Sequence, residues 1–99
     1  MITEIAQIDV KAGLEEAFEA GVAQAAPLFR RAQGCLHLEL QRSIEKPSRY
    51  RLVVAWATLE DHTVAFRGSS DFQAWRALVG HCFEAPPEVE HTYRVFDGF

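Results

Sequence analysis

The chain has 99 residues, with ten Lys and Arg against fourteen Asp and Glu, a formal net charge of −4 and 48% hydrophobic residues. A single domain of this size buries roughly 60–65% of its unfolded surface, so it can fold alone but gains from a partner that covers more apolar area. The acidic balance with scattered arginines excludes an electrostatic nucleic-acid binder, and no apolar run approaches the ~20 residues of a membrane span.

The N-terminal Met1-Ile2-Thr3-Glu4-Ile5 lacks the basic start and long apolar core of a signal peptide. Cys35 and Cys82 are far apart and form no C-x-x-C pattern, which predicts reduced thiols and a cytoplasmic protein.

Taken in chain order, Ile2 to Val10 reads as a strand with Ile2, Ala6, Ile8 and Val10 on one face. Gly13 opens a helix to about Arg31, with Leu14, Phe18, Gly21, Ala25, Leu28 and Ala32 as its buried stripe. Pro27 predicts a kink or an irregular last turn, and Gly34 ends the helical run. Cys35 to Ser43 alternates, placing Leu36, Leu38 and Leu40 on one face and Cys35, His37, Glu39 and Gln41 on the other. Glu45 to Ser48 is a hairpin turn, and Arg49 to Ala57 is the third strand. Thr58 and Asp61 have the spacing of a capping box, so a helix starts at Leu59 and runs to about Arg67. Ser70 and Gln73 repeat that spacing before a helix over 71–79. Pro86-Pro87 then precedes a last strand, Val89 to Phe96.

This order is β-α-β-β-α-β, which predicts one ferredoxin-like α+β domain over 1–99. Right-handed crossovers place the helices on one face of a four-stranded antiparallel sheet, with the first and third strands central. The third strand is apolar on both faces: Tyr50, Leu52, Val54 and Trp56 point one way, Val53 and Ala55 the other. Helices cover only one side, so the second apolar face predicts a homodimer packed sheet to sheet.

The chemistry-capable side chains concentrate between Tyr50 and Trp75. Leu59, His62 and Phe66 fall at i, i+3 and i+7, which turns the His62 imidazole toward the core. Such a histidine is either a hydrogen-bonded core residue or a working group. The same choice between core and pocket holds for Trp56 and Trp75, and between surface and site for Arg67. His37 lies on the outer strand face, while His81 and His91 read as loop and edge-strand residues. No pair among the four histidines has a metal-ligand spacing, and no Gly-rich nucleotide loop is present, so neither a metal nor a cofactor is expected.

The layout, the G-C-L-H-L-E-L strand (34–40), the strand ending in Trp56 and the L-E-D-H helix start (59–62) resemble the antibiotic biosynthesis monooxygenase family. The resemblance runs over essentially the whole chain and implies a dimeric α+β barrel. It further implies a cofactor-independent monooxygenase that uses O₂ on a small aromatic or quinol-type compound. On that reading His62 is the base, Arg67 stabilises an oxyanion, and Tyr50, Trp56, Phe66, Trp75 and His37 bind the substrate. The same scaffold also carries binding or sensing proteins and isomerase-like enzymes, since fold does not dictate function. Two sub-groups fit less well. Haem-degrading members carry Asn on the first strand, where this chain has Ala6 and Gln7, and here His62 precedes Trp75 in reverse of their order. Many quinol-oxidising members place a Glu two residues before the strand-end Trp, where this chain has Val54.

Overall fold

A computed structural model describes residues 1–99. It contains β1 (Ile2–Asp9), α1 (Glu15–Arg30), β2 (Cys35–Arg42), β3 (Arg49–Trp56), a π-helical segment (Asp61–Phe66), α2 (Ser70–Val79), a short 3₁₀ turn (Gly80–Cys82) and β4 (Glu88–Thr92). The four strands form one antiparallel sheet in the order β2-β3-β1-β4, so β1 and β3 are central. This is the ferredoxin-like βαββαβ arrangement expected from the pattern of elements. No helix is long and apolar enough to cross a membrane.

The even-numbered residues of β1 and β3 supply the core side of the sheet: Ala6, Ile8, Tyr50, Leu52, Val54 and Trp56 are buried there. On α1, Phe18, Val22, Ala25 and Phe29 meet them, and α2 adds Trp75 and Val79. Each fully buried large apolar side chain in such a layer is worth about 1.5–3 kcal/mol over leaving it in water. At Gly21 a Cβ would stand 3.0 Å from Val79 Cγ1 and 3.2 Å from the Leu78 carbonyl oxygen, so the two helices approach there by virtue of a missing side chain.

Four local expectations are corrected. Leu36 is exposed, because a bulge between Cys35 and His37 shifts the β2 register and lets Cys35 face inward with Leu38 and Leu40. The N-cap of α2 is Ser69, whose Oγ accepts from the Phe72 backbone N–H at 3.2 Å, so Ser70 is already the first helical residue. The last strand ends at Thr92, and Tyr93, Val95, Phe96 and Phe99 beyond it are exposed. Leu59 is also exposed, for a reason that bears on the site.

Candidate functional site

The backbone winds wider than an α-helix over Asp61–Phe66, with the Arg67 N–H donating to the His62 carbonyl five residues back at 3.1 Å. The wider turn brings His62 and Phe66 inward together and leaves Leu59 outside, so the 3.6-residue stripe does not hold here. A reciprocal capping box starts the segment. The Asp61 N–H donates to Thr58 Oγ1 and the Thr58 N–H to Asp61 Oδ2, both at 3.2 Å. The Asp61 carboxylate also accepts from Gln33 Nε2 at 2.9 Å and lies against Gly34, whose φ of +74° and missing side chain make room for it. Hydrogen bonds from Gln33 and Thr58, in that order of effect around burial, hold Asp61 below the usual carboxylate range. The clasp ties the segment that carries His62 to the turn before β2.

Behind that segment, between the sheet and the helices, lies a cavity of about 540 Å³. Its floor is Glu4, Ala6, Ile8 and Leu52, its walls include Phe29, Phe66, Phe72 and Trp75, and Arg67, Arg76 and the 83–87 segment form its rim. A largely apolar, aromatic-lined cleft with a few polar groups is the usual make-up of a small-molecule site.

The polar group on the floor is unexpected. Glu4 shares the inward register of Ala6 and Ile8 and is 5% exposed. Its Oε1 accepts from Trp56 Nε1 at 3.0 Å and stands 3.3 Å from His62 Nε2. His62 Nδ1 in turn lies 2.8 Å from His91 Nε2 on β4. The indole of Trp56 stacks on the His62 ring, with centroids 5.3 Å apart and planes 18° from parallel. Oε1 accepts from Trp56 with His62 Nε2 beside it, and no side-chain donor reaches the second oxygen of a carboxylate that lines the cavity. His62 Nδ1 is hydrogen-bonded to His91, while Nε2 lies beside Glu4 Oε1 without the alignment of a hydrogen bond.

Burial is the largest influence on both groups, and it disfavours charge on each. It raises the Glu4 carboxyl above its usual range, against the Trp56 hydrogen bond and the Arg67 charge, which pull it back down. It lowers His62 to about 4, assisted by the positive charge of Arg67 and by His91. His62 is therefore a neutral imidazole near pH 7. Its contact with Glu4 is thus not an ion pair. His91 is lowered too, by burial and then by Arg67.

The structure brings His62, Arg67, Phe66 and Trp75 to one cavity. It does not bring the other three there. Trp56 stands behind the cavity lining, against Glu4, His62 and Phe66, and does not face the cavity itself. Tyr50 lies at the far end of β3, its ring on Phe18 and its hydroxyl donating to Glu19 Oε2 at 2.6 Å; burial and Glu19 push its pKa up to about 12. His37 is on the exposed face of β2, 3.2 Å from Glu39. Glu4 and His91 were missed by sequence reasoning. The signal for Glu4 was its even position among Ala6, Ile8 and Val10, where a carboxylate must point inward with them. Glu4 also lies directly opposite Val54 in the β1–β3 register. A carboxylate thus stands on the strand beside position 54.

Comparison with known proteins follows the same lines. Residues 1–78 match the family profile described as antibiotic biosynthesis monooxygenase. The uncharacterized protein YczJ of Bacillus subtilis (strain 168) is 43% identical over 91 residues, covering 92% of this chain and 96% of its own. A crystal structure from Bordetella bronchiseptica, provisionally named an antibiotic biosynthesis monooxygenase, is 59% identical with a TM-score of 0.95, covering 96% of this chain and 97% of that one. Rv0793 from Mycobacterium tuberculosis shares the fold at 19% identity and a TM-score of 0.80, over 99% of this chain and 98% of its own. With a match over more than three-quarters of its length and relatives of this identity, the chain belongs to the antibiotic biosynthesis monooxygenase family.

Proposed function

We propose that this protein is a cofactor-independent monooxygenase that oxidises a small aromatic or quinol-type compound with O₂, and that Glu4 is its base. The observation that carries this reading is a buried carboxylate on the floor of an aromatic cavity, anchored through one oxygen by Trp56 with His62 beside it. His62, fixed through Nδ1 by His91, stands against that carboxylate and shapes its surroundings.

The chemistry balances without a resident cofactor. A reduced ring bearing a CH₂ or phenol loses a proton to Glu4, and the resulting anion passes one electron to O₂. The substrate radical and superoxide join to form a C–O bond. The peroxide recovers the proton from Glu4 and loses water as the second C–H proton departs, leaving a carbonyl. One oxygen atom enters the product, the other leaves as water, and all the electrons come from the substrate. Arg67, at the cavity rim, favours the anion that forms. The apolar walls keep water from the intermediate.

We assign the working form to a homodimer. Ile5 and Val53 pair on the outer sheet face, half-buried together with Ala55, and the tail exposes Tyr93, Val95, Phe96 and Phe99. Covering them in a stable interface means burying upwards of ~1,000 Å². Light scattering should give twice the chain mass of 11.2 kDa, and a stable monomer at micromolar concentration would contradict the assignment. The thiols of Cys35 and Cys82 fit a reducing cytoplasm.

The test is oxygen uptake. Purified protein with reduced anthrones and hydroquinones under ¹⁸O₂ should consume O₂ and place one labelled atom in the product. Binding of these compounds without O₂ uptake would point instead to a binding or sensing protein.

A further inference from the structure

His91 has no place in the mechanism so far, yet it stands at the back of the site. It sits on β4, beyond the residues 1–78 that match the family, and is the direct cross-strand partner of Glu4. The two side chains therefore rise from the same face of the sheet, and the His62 ring closes over both, its Nδ1 2.8 Å from His91 Nε2 and its Nε2 3.3 Å from Glu4 Oε1. The His62–His91 ring centroids are 5.0 Å apart.

A 2.8 Å contact between two imidazole nitrogens requires one proton between them, and its position decides the rest of the chain. If His91 Nε2–H donates, His62 keeps its own proton on Nε2, 3.3 Å from Glu4 Oε1, where the positive end of the N–H dipole favours an ionised carboxylate. The carboxylate then accepts from Trp56 with the His62 N–H, and no lone pair, beside it. If His62 Nδ1–H donates instead, its Nε2 lone pair faces Glu4 Oε1, and the two repel unless the carboxyl holds a proton. In that arrangement Glu4 has nothing left to abstract. The choice of tautomer is thus the choice between a charged base and a spent one.

We propose that His91 is a positioning residue: by donating to His62 it holds that ring in the Nε2–H tautomer and so keeps Glu4 an ionised acceptor. This rests on Glu4 being the working group of the cavity. The charged and titratable groups acting on His91 are His62, which it contacts, and Arg67, whose field reaches both histidines and Glu4. A protonated His91 still donates through Nε2, so this assignment survives mild acid.

The experiment is ¹⁵N–¹H long-range correlation NMR of histidine-labelled protein near neutral pH, with the Glu4 carboxyl followed by ¹³C. Neither readout needs a substrate, so it stands apart from oxygen uptake. The wild-type protein should show His62 protonated at Nε2 only. His91→Phe keeps the ring volume and removes the donor. It should move the His62 proton toward Nδ1 and raise the Glu4 titration midpoint by about one unit, a tenfold change in proton affinity. His91→Gln retains an N–H donor and should restore both readings. The proposal is overturned if wild-type His62 carries its proton on Nδ1, which is readable even if His91→Phe fails to fold. It is also overturned if a folded His91→Phe leaves the tautomer and the Glu4 midpoint where they were.

Discussion

The indole N–H of Trp56 donates to Oε1 of Glu4 at 3.0 Å, joining the last residue of β3 to the buried carboxylate of β1. Ile2, and not Glu4, is the cross-strand partner of Trp56, so the contact is made diagonally by the reach of the indole. Trp56→Phe keeps an aromatic ring beside His62, removes the donor and shrinks a fully buried side chain. It should cost about 1–3 kcal/mol in denaturant unfolding, the range for leaving a buried acceptor short of a partner. It should also raise the Glu4 titration midpoint, because that hydrogen bond is what chiefly opposes burial there. Unchanged stability and titration would show that Oε1 does not depend on the indole.

The pH dependence of stability follows from the same groups, with opposite signs. His62 is lowered from 6.5 to about 4 in the fold, so between those values the unfolded chain binds the proton and the folded chain does not. Its contribution is present above 6.5 and is lost as pH falls toward 4. His91, also lowered, acts in the same direction. Glu4 is raised, so its contribution is present at low pH and is lost as pH rises through its folded value. His62→Gln removes the first effect and leaves the others. Urea melts across the window should show a flatter acid decline in the variant than in the wild type. Parallel curves would mean that His62 is charged in the fold.

Gly34→Ala addresses the clasp at the start of the π-helical segment. The residue lies at φ +74°, which costs a side-chain-bearing residue about 1–2 kcal/mol. A Cβ there also runs into the Asp61 carboxylate. Displaced, Asp61 loses Gln33 and Thr58 together. A loss of more than ~2 kcal/mol is expected, with faster amide exchange at Arg67, whose N–H closes the π turn on His62. A neutral variant would show that the clasp is not what shapes the turn.

Much of this was legible in the sequence. The alternation of β3 from Tyr50 to Trp56, the capping box of Thr58 and Asp61 and the order of elements each rest on local periodicity, and the fold follows from them. The site was less legible, because its parts depend on contacts between distant elements. Glu4 interrupts an apolar alternation and reads locally as polar; its burial makes sense only with Trp56 and His62 in place. His91 looks like an edge-strand residue until β4 is set beside β1 in register. The π turn depends on Gln33 and Gly34 gripping Asp61 from another part of the chain, so a 3.6-residue wheel put Leu59 inside. Tyr50 was grouped with the site as one of a run of aromatic side chains, whereas it lies at the far end of its strand; His37 lies on the outer face where the alternation of its strand put it.

The role of Glu4 is the central claim, and Glu4→Gln tests it most directly. The amide has nearly the same shape, keeps an oxygen for the Trp56 donor and removes a buried charge, so the thermal midpoint should hold or rise. Oxygen uptake with a reduced anthrone or hydroquinone that the wild-type protein oxidises should fall by about 10²–10⁴-fold, the usual share of a positioned base. A folded Glu4→Gln protein that consumes oxygen at the wild-type rate would contradict the account.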